Sequence, residues 1–241
     1  MGNTIMSARE NTAVESRSYV VSMDNRKARG QGHERPAEIL KAARELFLEH
    51  GVEQVTTRQI AARVGISQTA LYVYFKTKEV ILDRLAERAW CALVKALDAV
   101  EPVDEIDACP VHRLRAMLVV FMRFWLEHPD DYRIVFLRKA LRPFVEDEQM
   151  LSAGRSMLVR LTKRVEAAVQ VGGVRCMGSS QATALSLWAS VSGMVSMRMR
   201  FPEFPWPPVA DHVDAMADLM MNGCATYAGR ELLSVQGACA V

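Results

Sequence analysis

Apolar residues recur at helical spacing along almost the whole chain from Pro36 onward. Near the start, one face carries apolar residues in the i, i+3, i+4, i+7 order of an amphipathic helix: Ile39, Leu40, Ala43, Leu46 and Phe47. No segment alternates convincingly between apolar and polar residues, which is the period-two pattern of a half-buried strand. The pattern therefore predicts an all-α fold.

Glycines and capping residues divide the first part of this pattern into three helices. The first ends at Gly51, a residue suited to the left-handed backbone beyond a helix end. The second begins near Thr56, which has with Gln59 the spacing of a capping box, and it ends at Gly65. The third is predicted over about Ser67–Tyr74.

Longer helices are predicted beyond this point. Thr77 can cap a fourth helix, and prolines and glycines separate further helical stretches at about 110–127, 129–140, 146–171, 179–200 and 208–228. Residues 1–34 are polar and have no helical or strand period, so we interpret them as a flexible tail.

The segment from Thr56 to Lys76 carries the clearest functional pattern. Two short apolar faces flank the sharp turn at Gly65, where Ile66 can fill the space between the helices. Two helices joined in this way are typical of a helix-turn-helix, whose second helix enters the major groove of DNA. Any helical hairpin with a glycine turn gives a similar pattern, so the spacing alone leaves both interpretations open.

The side chains on this segment suit DNA recognition. Glutamine can pair with adenine through two hydrogen bonds, and threonine or alanine methyl groups can contact the thymine methyl. Hydroxyl and ammonium groups contact phosphates and so set the register. The candidate DNA-binding residues are Thr57, Arg58, Gln68, Thr69, Ala70, Tyr72, Tyr74 and Lys78.

Residues 36–90 resemble the N-terminal domain of the TetR family of transcriptional regulators. The matching residues run from Ile39 to Leu82, and the LYVYFKTKE segment is their most specific part. The resemblance implies that Thr57 and Arg58 open the second helix beside the DNA. It also implies that Gln68, Thr69, Ala70 and Tyr72 face the groove, and that Tyr74 and Lys78 contact the backbone. Val73 stands where the family often has His or Trp.

The resemblance also implies the organisation of the rest of the chain. We expect a flexible tail at 1–34, a three-helix helix-turn-helix DNA-binding domain at 35–80, and a helical-bundle C-terminal domain at 81–241 that dimerises and binds a ligand. Charge agrees with this division, because residues 26–78 contain ten Lys and Arg but five Glu, a net +5, whereas residues 79–241 carry −2. A solvated basic face is the alternative interpretation.

Two helices of the C-terminal domain, near 179–200 and 208–228, are the expected homodimer interface. The first is rich in small residues, and the second carries on one face Val213, Met216, Ala217, Met220 and Met221. An intramolecular pair of core helices would show the same pattern. A palindromic operator has two half-sites, and each needs its own DNA-binding domain, which favours a dimer.

A cavity for a small apolar or aromatic effector is expected among the middle helices, since such pockets are mostly apolar with few polar groups. Candidate lining residues are Met117, Phe121, Phe124, Trp125, His128, Tyr132, Phe136, Trp188 and Ser192. Trp188 to Gly193 resembles a WxxxHG signature of one subgroup of the family, with Ser192 in place of its histidine. The same residues individually suit a plain hydrophobic core.

Several function classes are not supported. The cysteines form no CxxC pair and the five histidines share no metal-ligand spacing, so we expect no metal or cofactor. No nucleophile–base motif or phosphate loop indicates an enzyme. The start lacks an apolar signal core, and the apolar stretch at 182–199 is interrupted by polar residues, so we expect a cytoplasmic protein without membrane contact.

The sequence therefore predicts a transcriptional repressor that a small molecule releases from its operator. The alternative is a DNA-binding regulator or nucleoid-type organiser that needs no small ligand.

Overall fold

The computed structural model describes residues 34–100, 109–136 and 151–234, and in these ranges the fold is all-α. The helices are α1 (Arg35–His50), α2 (Thr57–Val64), α3 (Gln68–Tyr74), α4 (Lys78–Val100), α5 (Pro110–Glu127), α6 (Pro129–Phe136), α7 (Leu151–Gln170), α8 (Ser180–Arg200), α9 (Val209–Cys224) and α10 (Tyr227–Ser234). A short 3₁₀ turn occupies Val52–Gln54. The predicted fold class is confirmed.

The predicted helix at 208–228 is in fact two helices. Ala225 leaves the helical conformation, with φ −66° and ψ 142°, and forms an isolated bridge with Val174. Thr226 then donates from its backbone N–H to the carbonyl of Gly173 and from its hydroxyl to that of Gly172, at 3.0 and 2.6 Å. These long-range bonds end α9, and the Thr226 hydroxyl also caps the start of α10 by accepting from the Gly229 backbone N–H at 3.0 Å, a local signal that the helical periodicity did not reveal.

Some predicted features lie outside the described residues. They are the tail apart from Glu34, the basic residues Arg26, Lys27 and Arg29, the end of the helix expected at 129–140, and the start of the one expected at 146–171.

A first hydrophobic core joins α1, α2, α3 and the beginning of α4, and we call this unit the head. Its fully buried side chains include Ile39, Ile60 and Leu71. Ile81, Leu82 and Leu85 of α4 also belong to this core. Because α4 continues without a break into the second core, the packing partner changes inside this helix, between Leu85 and Ala86.

The second core, in the unit we call the body, is built around α5. Trp125 is fully buried at its centre and makes edge-to-face contacts with Trp90, Phe124 and Phe136, with ring centroids 5.1–5.4 Å apart. Such aromatic pairs contribute about 0.5–1.5 kcal/mol each beyond their area burial. Helices α4, α7, α8 and α9 pack against α5.

Helix α6 links the two cores. Ile134 is 3% exposed and packs in the core of the head, whereas Tyr132 and Val135 on the same helix pack in the body. Arg44 of α1 adds an ion pair to this junction, since its guanidinium lies 3.1 Å from Asp131 and 3.5 Å from Asp130. The head is therefore attached to the body by both apolar and charged contacts.

The end of the body is fixed by a close approach of two backbones. A Cβ atom added to Gly229 of α10 would lie 1.8 Å from the carbonyl oxygen of Gly173, so only glycine fits there. His112, at the start of α5, is bonded through Nε2 to the carbonyl of Leu232 at 2.8 Å. Helix α10 thus holds together the turn after α7 and the beginning of α5.

Packing divides the residues expected on the dimer face of α9. Val213, Ala217 and Met221 are fully buried in the core of their own chain. The expectation that these three face a second copy was wrong, because a period of 3.6 residues identifies an apolar face without identifying what covers it. The outward side of α9 carries instead Ala215 and Leu219, the latter 70% exposed.

Among the described helices, none combines the length and hydropathy needed to cross a membrane.

Candidate functional site

The turn between α2 and α3 is determined by local sequence. The hydroxyl of Thr56 accepts a bond from the Gln59 backbone N–H, and the Gln59 side chain accepts one from that of Thr56, which completes the predicted capping box. At the other end Gly65 adopts the left-handed conformation, φ 73° and ψ 35°, and Ile66 donates to the carbonyl of Ala61. This closing pattern is of the Schellman type and directs α3 across α2.

Helix α3 buries one face and exposes the other. Ser67 caps its start by accepting from the Ala70 backbone N–H at 3.1 Å, and Leu71 is fully buried in the head. The opposite face presents to solvent Gln68, Thr69, Tyr72 and Val73. An exposed helix face led by an amide and a hydroxyl is the chemistry that reads base edges in the major groove.

Three of the predicted DNA-binding side chains form one hydrogen-bonded group. The Gln68 amide nitrogen lies 3.0 Å from both the Thr57 and the Tyr72 hydroxyl oxygens, and these two oxygens are 3.2 Å apart. Thr57 belongs to α2 and the others to α3, so the bonds tie the two helices together on the exposed side. With both N–H groups engaged, the amide oxygen of Gln68 is the part left to accept a bond.

The remaining head residues are placed differently. Arg58, Thr69 and Tyr74 are exposed and Ala70 is half-buried. Lys78, at the first position of α4, donates from Nζ to the carbonyl of Val52 at 2.8 Å. That bond braces the 3₁₀ turn against α4, which is a structural role that the sequence did not suggest for this lysine.

Val73 also lies on the exposed face of α3, although it was not among the candidate DNA-binding residues predicted from the sequence. It is 73% exposed at the end of the outward face of α3. Its position one residue after Tyr72 was the available signal, because both lie on the side opposite Leu71.

A small cavity lies in the body between α5, α7 and α8. Its volume is about 10 Å³, roughly room for one water molecule. Of the predicted effector residues, it is lined by Met117, Phe121 and Trp188. The other lining residues are Leu118, Gly154, Met157, Leu158, Leu161 and Val191.

Four of these residues, on α7, were not expected from the sequence. They are Gly154, Met157, Leu158 and Leu161, and their i, i+3, i+4, i+7 spacing is the signal that would have placed them on one inward face.

The other predicted effector residues surround the cavity or lie away from it. Phe124, Trp125, Tyr132 and Phe136 form the aromatic cluster next to it. His128 is exposed at the end of α5, where its ring stacks on Phe124 with a centroid separation of 4.4 Å, so it does not line the cavity. Burial raises the pKa of Tyr132, against the opposite effect of its hydrogen bond with Ser196.

Three polar atoms in this region are buried without a hydrogen-bond partner among the described residues. They are the indole nitrogens of Trp125 and Trp188 and the hydroxyl of Ser192. Buried donors without an acceptor are costly, by about 1–3 kcal/mol each, so such atoms are infrequent in folded proteins. Trp188 also lines the cavity.

No cluster of three or more histidine, cysteine or carboxylate side chains able to hold a metal ion occurs in the described part of the chain.

Comparison with known proteins matches the two units separately. Residues 39–85 match the family described as bacterial regulatory proteins, tetR family. Residues 114–223 match the family described as tetracyclin repressor-like, C-terminal domain. The first match covers most of the head, and the second covers α5 to nearly the end of α9.

Individual relatives are similar over different lengths. The class A tetracycline repressor from transposon 1721 of Escherichia coli is 46% identical over 52 residues, 22% of this chain and 24% of the relative. The nucleoid occlusion factor SlmA of Cronobacter sakazakii is 27% identical over 183 residues, 73% of this chain and 88% of the relative. For the tetracycline repressor, the match therefore spans about a quarter of the curated relative.

Two solved structures have a fold similar to that of this protein over most of its chain. SmeT, the repressor of the Stenotrophomonas maltophilia multidrug efflux pump SmeDEF, has a TM-score of 0.61 and 26% identity, covering 80% of this chain and 91% of that one. A tetR-family regulatory protein from Rhodococcus RHA1 has a TM-score of 0.62 and 23% identity over 79% of this chain and 98% of that one, a likeness of fold. Because residues 39–85 of the head and residues 114–223 of the body both match models of this family, the chain belongs to the TetR family of bacterial regulatory proteins.

Proposed function

We propose that this protein is a transcriptional repressor that binds a palindromic operator as a homodimer and is released by a small apolar or aromatic molecule. The observation that carries the proposal is the outward face of α3, where a capped helix presents Gln68, Thr69 and Tyr72 to solvent beside Thr57 of α2. The names of related proteins, which include tetracycline repressors and SmeT, support repression as the output. We place the protein in the bacterial cytoplasm, where such an operator is accessible.

The proposal is tested by selecting genomic DNA fragments on the purified full-length protein and measuring their affinity at several salt concentrations. We expect one or a few fragments to bind with affinities that fall steeply as salt rises, since phosphate contacts release counterions. Genes next to the selected fragment would indicate the effector class to test for release. Failure of every fragment to show salt-sensitive binding would refute the proposal.

Replacing Gln68 with alanine should weaken operator binding by about 1–3 kcal/mol and relax the choice of base at one position in each half-site. The reason is loss of a side chain that can bond a base edge, and of its bonds to Thr57 and Tyr72. The measurement is affinity for a set of single-base variants of the operator. Gln170→Ala, at the exposed end of α7, is the matched control. If the affinity fell equally for all operator variants, Gln68 would contact the DNA sugar–phosphate backbone rather than a base.

Replacing Lys78 with methionine should weaken binding to all DNA sequences alike and reduce the salt slope by about one unit. The substitution keeps the aliphatic stem and removes one cation from the head. Lys95→Met, further along α4, should leave the slope unchanged because it lies in the body. An unchanged slope in Lys78→Met would restrict this lysine to its bond with the Val52 carbonyl.

The homodimer is proposed to form through the outward sides of α8 and α9. Small residues dominate the exposed stripe of α8, with Ala182, Ala189 and Gly193 at helical spacing, and Leu219 projects from α9. Small side chains let two helices approach closely, and an exposed leucine gains by burial against a second copy. A two-fold arrangement would then set the separation of the two α3 helices.

The effector is proposed to enter the body beside Trp188. The cavity there is apolar, and the unpartnered indole nitrogen of Trp188 is a hydrogen-bond donor available to a ligand. Since the volume is about 10 Å³, binding must displace neighbouring side chains. Such a displacement reaches the head through α6, whose Tyr132 and Ile134 belong to different cores. A ligand that favours one spacing of the heads weakens operator binding, and DNA weakens ligand binding by the same factor.

A second candidate function is a DNA-binding regulator or nucleoid-type organiser without a small ligand. The small cavity favours it, because its volume of about 10 Å³ in the described part of the body is far below that of an ordinary ligand pocket, roughly 300–1,000 Å³. The similarity to SlmA of Cronobacter sakazakii over 73% of this chain also fits. This candidate would be favoured over the first if the protein protected many DNA sites and no small molecule released it from them.

A further inference from the structure

A second concave surface lies where the head meets the body, and it is larger than the cavity in the body. It is a cleft of about 260 Å³ between α1, α4 and α6. Its lining residues are Leu40, Lys41, Arg44, Leu85, Arg88, Ala89 and Asp131. None of them lies on α2 or α3, so the cleft is separate from the proposed DNA-binding face.

The cleft combines three cations with an apolar floor. Lys41, Arg44 and Arg88 contribute the positive charges, against the single lining carboxylate of Asp131. Leu40 and Leu85 are almost completely buried and form its floor with Ala89. A surface that is basic at its rim and apolar at its base is complementary to a molecule with one anionic group and an apolar body.

Two of the three cations are not neutralised within the described part of the chain. Lys41 and Arg88 are exposed and form no ion pair there, whereas Arg44 is shared between Asp130 and Asp131. Repulsion among like charges that line one cleft costs energy, which an incoming anion would relieve. Arg44 can also donate hydrogen bonds to a ligand. Its guanidinium has five N–H donors, and Asp131 accepts bonds from only two of its nitrogens, Nε and Nη2.

We propose that this cleft binds a small organic carboxylate through Lys41, Arg44 and Arg88, with the apolar part of the ligand lying over Leu40 and Leu85. Such a ligand competes with Asp131 for Arg44, and so acts on the contact that attaches the head to α6. This site shares no lining residue with the effector cavity or with the proposed DNA-binding face. Its existence is therefore tested without an operator.

The experiment is isothermal titration of the full-length protein with octanoate at low salt. We expect saturable binding of one octanoate per protomer, with the affinity falling about 2- to 5-fold in Arg88→Gln and in Lys41→Gln, the effect of one exposed ion pair. Asp131→Asn should bind octanoate more tightly, by about 3-fold or more, because the competing carboxylate loses its charge. A merely structural role for these residues predicts no such increase.

Arg84→Gln is the matched control. Arg84 lies one turn before Arg88 on α4, pairs with Glu87 at 2.8 Å and does not line the cleft, so the variant changes the net charge equally and should bind octanoate like the unmodified protein. The neutral probe 1-octanol should show no dependence on Arg88.

Two results would overturn the proposal. One is the absence of saturable octanoate binding. The other is binding that is insensitive to Arg88→Gln and Lys41→Gln but is lost in Gly154→Leu, which would place octanoate in the body cavity. Because no DNA is present, failure here leaves the proposed repressor function standing, and failure of operator binding leaves the cleft untouched.

Discussion

Replacing Gly229 with alanine should lower the free energy of unfolding by about 3 kcal/mol, within the upper range of overpacking substitutions. The added methyl group would lie 1.8 Å from the carbonyl oxygen of Gly173, far inside van der Waals contact. The contacted atom is a backbone atom, which cannot move as a side chain can. Gly173 is also closely packed, because a Cβ atom built on it would lie 2.3 Å from the Val111 side chain. Neither partner can yield without moving α10 or the start of α5. Urea denaturation followed by circular dichroism measures the loss.

Gly154→Ala is the control that separates crowding from a general effect of adding a methyl group. At that position in α7 the new atom meets the Trp90 ring at 3.7 Å, an ordinary contact distance. Alanine is favoured over glycine in a helix by about 0.8–1.0 kcal/mol, so stability should stay the same or rise. Both variants are compared at one protein concentration, since the proposed dimerisation would make the apparent stability depend on concentration. Equal stability of the two would refute the close approach of Gly229 to Gly173.

Replacing Leu219 with glutamate should convert the proposed dimer to a monomer and reduce operator affinity by about 100-fold or more, because two linked heads gain avidity from binding two half-sites together. Leu219 is 70% exposed and contributes little to the core of its own chain, so the monomer should keep its fold. A buried carboxylate facing its two-fold copy would be both desolvated and repelled. Sedimentation velocity gives the mass, and fluorescence anisotropy with a labelled operator gives the affinity.

Val159→Glu is the matched change on another helix. Val159 is 48% exposed on α7, outside the proposed interface, and its substitution adds the same charge. This variant should remain dimeric and bind the operator with unchanged affinity. If Leu219→Glu also stays dimeric, the two copies do not meet through the outward side of α9.

The head was predictable because its determinants are local. Thr56 and Gln59 form their capping box within four residues, and the left-handed turn at Gly65 depends on the residue type at one position. The body was less predictable because its determinants are distant in sequence. The interruption at Ala225 accompanies bonds from Thr226 to Gly172 and Gly173, and the spacing on α7 indicates an inward face but does not show that this face borders a cavity with α5 and α8.

In the candidate sites too, features with local determinants were predictable and features that depend on distant residues were not. Exposure of Gln68 and Tyr72 follows from the burial of Leu71 on the opposite side of a seven-residue helix. The bond from Lys78 to the Val52 carbonyl and the position of His128 outside the cavity depend on three-dimensional geometry. The pairing of Arg44 with Asp131 joins residues 87 positions apart, and no periodicity along the sequence encodes such a partner.

The attachment of α6 to both cores limits how this protein can exchange parts with its relatives. A recombination event that replaces residues 35–85 brings in a new reading head but leaves Ile134, which completes the core of that head, in the recipient body. An incoming α1 without this arginine would also leave Asp130 and Asp131 without their ion-pair partner. We therefore expect a chimaera that transfers α6 together with residues 35–85 to be more stable than one that transfers residues 35–85 alone.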